Sequence, residues 1–156
     1  MKIKSLFILV LFSVISCDGT LGGFKDRNFA IPKKNIEKAV DTLFAENPQL
    51  NIPKKWEEYD TWKKRGYDFL DSRIFYFQTE PEEMYYVSFV SDGNENQDKD
   101  GPTIIAIRSV FTKRHKKWKE EAEFDDIEKV RIENRFDSEI VSKLERYSGV
   151  KSNRLN

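Results

Sequence analysis

The chain has one cysteine, one histidine, seven glycines and five prolines among 156 residues. One thiol cannot build a disulfide framework, and one imidazole makes a conventional zinc site improbable. Glycine and proline are too sparse for a collagenous or low-complexity chain. Neither sign of charge is in excess, with 27 Lys+Arg against 27 Asp+Glu. A dedicated nucleic-acid binder would be basic overall, so that class is disfavoured. The longest apolar run, Leu6 to Ile15, covers ten residues, whereas a bilayer-spanning helix needs about 20. Aromatic residues are plentiful at 13%, enough to build a core and to argue against wholesale disorder. The length suits one domain.

The N-terminus is an address. Lys2 and Lys4 precede the apolar run, and small residues follow it before a cleavage point, the pattern of a secretory signal. Val14-Ile15-Ser16-Cys17 then resembles the lipobox of bacterial lipoproteins, with an aliphatic residue three before the cysteine and a small one just before it. Val14 stands where that family prefers leucine, and the resemblance covers residues 1–17 alone. It implies cleavage before Cys17, a diacylglyceryl thioether on the Cys17 sulfur and an acylated amine. One acyl chain binds a membrane marginally, whereas several anchor durably. Loss of Lys2 and Lys4 would leave 25 basic and 27 acidic side chains, a net charge of −2.

Residues 1–16 thus read as a lipoprotein signal peptide, and 17–31 as the lipidated cysteine with a flexible tether. Gly19, Gly22 and Gly23 fall in that tether, and it shows no apolar periodicity. Residues 32–156 read as a single α+β domain. Ile36, Ala39, Val40, Leu43 and Phe44 predict a helix from Pro32 to Glu46, ended by Asn47-Pro48. Trp56, Tyr59 and Trp62, three apart after Pro53, predict a second short helix closed by Gly66. Runs at Ile74 to Gln78, Met84 to Ser91 and Thr103 to Phe111 predict an antiparallel meander of three or four strands. Ile132, Phe136, Ile140 and Leu144, four apart, predict a long C-terminal helix from Asp126 to Tyr147, capped by Asp125 and stopped at Ser148-Gly149. Lys151 to Asn156 reads as a frayed tail.

Centring the tight hairpin on Pro81 sets Phe77 opposite Tyr85. Centring the long loop on Gln97 sets Phe89 opposite Ile105 and Tyr86 opposite Arg108. Phe75, Phe77, Tyr85, Val87, Phe89, Ile105 and Ile107 then share a core face. Tyr76, Tyr86 and Arg108 cluster on the other face, with Ile74, Met84, Ser88, Ile104 and Ala106. Tyrosine and arginine dominate binding hot spots, so this trio is the candidate partner-binding surface. A covering layer, or an ordinary half-wet sheet face, is the competing reading.

Other constellations read as structural. Lys113 to Lys119 is the densest basic run, but the acids from Glu120 to Asp126 follow within a Debye length of about 8–10 Å and largely cancel its field. It reads as a solvated strand end or turn. His115 sits among cations with no carboxylate partner or nucleophile nearby in sequence, and no G-x-S-x-G elbow is present. The loop Asp92 to Gly101 has the composition of a calcium site, but Ile107 falls where a terminal bidentate glutamate belongs. Glu57-Glu58, Glu82-Glu83 and Asp125-Asp126 are adjacent pairs whose side chains diverge, so none makes a two-carboxylate site alone. Trp56, Tyr59 and Trp62 suit a sugar-binding patch or, at this spacing, a core.

The expectation is a non-catalytic lipoprotein of the cell envelope, held to a membrane through Cys17, with no cofactor, no metal and no nucleic-acid partner. It binds an envelope protein through the sheet face. The alternatives are a toxin-neutralising immunity lipoprotein and a glycan-acting envelope hydrolase.

Overall fold

The computed structural model describes residues 23–62, 64, 66, 71–91 and 101–155. It is an α+β fold. Six strands form one antiparallel sheet: β1 (Arg27–Phe29), β2 (Ser72–Phe77), β3 (Glu83–Ser91), β4 (Thr103–Thr112), β5 (Lys117–Lys119) and β6 (Ser152–Arg154). Their order is β2-β3-β4-β1-β6, and β5 pairs with the end of β4. Helices α1 (Lys33–Glu46), α2 (Asp126–Phe136) and α3 (Ser142–Ser148) cover one face, with a π-helical turn, Asp137–Val141, joining α2 to α3.

The predicted core face is the observed one. Phe75, Phe77, Tyr85, Val87, Phe89, Ile105 and Ile107 are buried in one cluster with Ile36, Leu43, Ile132, Phe136, Ile140 and Leu144. Full burial of such a side chain is worth roughly 1.5–3 kcal/mol, so this cluster carries most of the fold's stability. The tight hairpin pairs Phe75 with Tyr85 and Phe77 with Glu83, a register two residues from that expected. A shift of two preserves the faces, because side chains alternate with period two.

Along β3 and β4 the expected pairs Val87–Ile107 and Phe89–Ile105 hold. Tyr86, however, pairs with Ser109, because Arg108 is the extra residue of a β-bulge. The bulge reverses the alternation beyond it. Val110 therefore joins the helix-covered core, and Phe111 joins the opposite face.

The four-residue spacing of Ile132, Phe136, Ile140 and Leu144 exceeds the roughly 3.6 residues of an α-turn. The wider π turn absorbs the difference and keeps all four buried. Asp125 caps α2, its Oδ1 accepting from Glu128 N at 2.8 Å. Gly149 stops α3 in the left-handed region at φ 74°.

Two expectations need correction. The tether read through Ile31 gives way to structure within its described part: Phe24 is buried against Phe124, and Arg27–Phe29 is strand β1 between β4 and β6. The tail read at Lys151 to Asn156 contains β6, paired with β1 from Ser152 to Arg154. Each of these three-residue strands is too short and polar to announce itself, and each exists through its partners.

Candidate functional site

The face proposed for partner binding is closed. The predicted second helix is a 3-10 helix, Lys54–Tyr59. Its period of three residues suits the spacing of Trp56 and Tyr59, and Trp62 follows just beyond its end. These rings lie on the sheet. Trp62 stacks on Tyr86 with centroids 4.0 Å apart, and Trp56 and Tyr59 pack on Phe111. Trp118 of β5 closes the side, its indole N–H donating to Tyr59 O at 2.8 Å. Tyr76 and Tyr86 are 6% and 2% exposed. The reading of Tyr76, Tyr86 and Arg108 as an exposed binding trio is thereby corrected: the two tyrosines are core. Arg108 is half-buried, and its Nε donates to Ser88 Oγ at 2.7 Å. Burial lowers the Arg108 pKa, against the opposing pull of Asp26 and Tyr86.

Beneath this aromatic cap lies a buried carboxylate. Glu82 accepts from Trp56 Nε1 at 2.9 Å and Tyr76 OH at 2.7 Å, with Lys55 Nζ at 2.5 Å and Lys113 Nζ at 3.1 Å. Burial alone would raise its pKa, but hydrogen bonds from Lys55, Tyr76, Trp56 and Lys113 prevail and hold it well below the usual carboxylate range. Tyr76 is pushed up to about 12, first by burial and then by its bond to Glu82.

The neighbouring Glu83 points to the opposite face, as adjacent strand residues must. Arg131 bonds both of its oxygens, at 2.6 and 3.0 Å, and Arg135 bonds Oε2 at 3.1 Å. Tyr85 OH donates to the same Oε2 at 3.0 Å. Arg135 also reaches Pro81 O and Thr79 O, tying α2 to the β2–β3 hairpin. Glu82 and Glu83 thus pin the two covering layers to opposite faces of one strand end.

A third charged group sits at the β1–β6 edge. Arg27 and Arg154 are cross-strand partners. Arg27 Nε meets Asp137 Oδ1 at 2.5 Å, and Arg154 Nη2 meets Glu133 Oε2 at 2.6 Å and Asp137 Oδ2 at 3.4 Å. A cavity of about 280 Å³ adjoins them, lined also by Ser142, Glu145 and Ser152. Glu145 is committed to Lys151 and to the Ser152 N–H and hydroxyl. Two arginines and two carboxylates line the cavity, so its charge is balanced and favours neither anion nor cation.

The remaining candidates fall as follows. Lys113 to Lys116 form a turn and Lys117–Lys119 form β5, so the basic run is a strand end and turn, with His115 exposed on it. Among the described residues no group of three His, Cys, Asp or Glu is placed to hold a metal ion. No helix among them is long and apolar enough to cross a membrane. Cys17, its lipobox and residues 92–100 of the acidic loop lie outside the described residues. Comparison of the chain with protein families, curated proteins and solved structures finds no match.

Proposed function

We propose that this chain is a lipid-anchored protein of the bacterial cell envelope, attached through Cys17, which holds a protein partner at the membrane surface without catalysing a reaction. The observation that carries the reading is the position of its sole cysteine, directly after the apolar run in Val14-Ile15-Ser16-Cys17. The fold adds a geometric constraint. Gly23 stands so close to Glu121 that a Cβ there would lie 2.5 Å from the Glu121 Cβ. Phe24 is buried next to it. Six residue steps separate Cys17 from Gly23, which span at most about 20–22 Å when fully extended. An acylated Cys17 would hold this end of the molecule near the bilayer.

The buried ionic groups suit a scaffold. Glu82 and Glu83 are each engaged by several partners from different elements, and Arg27 ties β1 to Asp137 of the π turn. Such groups hold layers in register.

Intact-mass measurement of the protein purified from membranes tests this reading. The expected mature chain begins at Cys17 and carries a diacylglyceryl group on its sulfur. A chain beginning elsewhere, or a free Cys17 thiol, contradicts it.

A further inference from the structure

Two large apolar side chains stand out from the surface. Ile127 is 83% exposed and Val130 57%, and they are the exposed large hydrophobics among the described residues. Three apart on α2, they share a face. That face lies away from the stripe of Ile132 and Phe136 that α2 buries.

Acidic side chains outnumber basic ones around them. Residues 120–128 contain Glu120, Glu121, Glu123, Asp125, Asp126 and Glu128, with no lysine or arginine among them. Lys117 pairs with Glu123, and Lys129 bridges Glu121 and Asp126. Arg131, the next cation along α2, is spent on the buried Glu83. Six acids against Lys117, Lys119 and Lys129 leave this end of α2 net acidic around two aliphatic side chains, with Asp126 fully exposed and Glu120 and Asp125 also exposed.

We propose that this face docks a protein partner whose surface is an apolar socket rimmed by lysine and arginine. Charge decides among the possible occupants. An anionic bilayer attracts bases and repels this rim. A second copy, meeting the same face about a two-fold axis, would set acid against acid. A basic protein surface alone makes the apolar and electrostatic contributions act together. The inference rests on the partner-binding half of the proposed function and not on the lipid anchor. Because Phe24 packs on Phe124 just before α2, the face would lie at the membrane-proximal end if Cys17 is acylated.

The test is a photo-cross-link in the cells that make the protein, using the full chain with benzoylphenylalanine in place of Val130. The same probe in place of the exposed Glu57, on the opposite layer, is the control. The expected result is an adduct with a protein whose cross-linked peptide is rich in lysine and arginine. Its yield should fall about tenfold in D126K/E128K, and clearly in the milder D126N/E128Q and in I127S. Thermal melts show that each variant is folded. A lipid adduct, a doubled mass from a second copy, no adduct, or a yield indifferent to these substitutions overturns the proposal. Fractionation of the same cells separates the two readings. A soluble protein that still cross-links the basic partner refutes the anchor alone, and a sedimenting protein with no such adduct refutes the docking face alone.

Discussion

Trp62 lies flat on Tyr86, with ring planes 5° from parallel and centroids 4.0 Å apart. The stack covers the sheet face that the sequence offers as open, and it turns Tyr86 from a contact residue into a core residue. Its hydroxyl is buried and meets no hydrogen-bond partner among the described residues. Tyr86→Phe should therefore leave stability unchanged or slightly raised, since an unpaired buried hydroxyl is a cost. Tyr86→Ala should lower it by roughly 3–5 kcal/mol, as aromatic deletions in a core do. Urea denaturation of both variants checks this. A large loss in the Phe variant, or none in the Ala variant, would place the ring outside the core.

Glu82 makes stability depend on acid. Its folded pKa is depressed, so its contribution is complete above the unfolded value of about 4.3. That contribution fades as pH falls from there toward the folded value. Glu82→Gln should cost about 1–3 kcal/mol near neutrality, because Lys55 and Lys113 lose their counter-charge. It should also flatten the loss of stability between about pH 5 and pH 2. Thermal melts across that range, wild type against variant, read both effects. Parallel curves would deny Glu82 its role.

Why was one face legible and the other not? The core face follows from alternation in Phe75, Phe77, Tyr85, Val87 and Phe89, and from the four-residue spacing of Ile132 to Leu144. Both are strong local signals. The second face carries the same alternation, but whether it is wet depends on what folds over it. The spacing of Trp56, Tyr59 and Trp62 gave that cover away as core; its destination was not local information. The bulge at Arg108 left no mark in the pattern. Arg27 was illegible for a different reason. Its burial depends on Asp137, 110 residues away, and on a π turn. Ile127 and Val130 fall off the buried stripe of their helix, so their exposure follows from the helical period.

The C-terminal residues belong to the sheet, and the chain should need them. Truncation after Val150 removes the pairing of Ser152–Arg154 with β1 and the Arg154 bonds to Glu133 and Asp137. At a net ~0.5–1.5 kcal/mol for each lost hydrogen bond, stability should drop by about 2 kcal/mol or more. A thermal melt of the truncated chain reads this directly. An unchanged transition would return these residues to the status of a frayed end.

The attachment of Cys17 to lipid is tested by growing cells with radiolabelled fatty acid and comparing the full-length chain with its Cys17→Ala variant. Label should enter the wild-type band, which should sediment with membranes. The variant should take up no label and appear in the soluble fraction. A wild-type band without label, or a variant that sediments as well as the wild type, would mean that Cys17 carries no anchor.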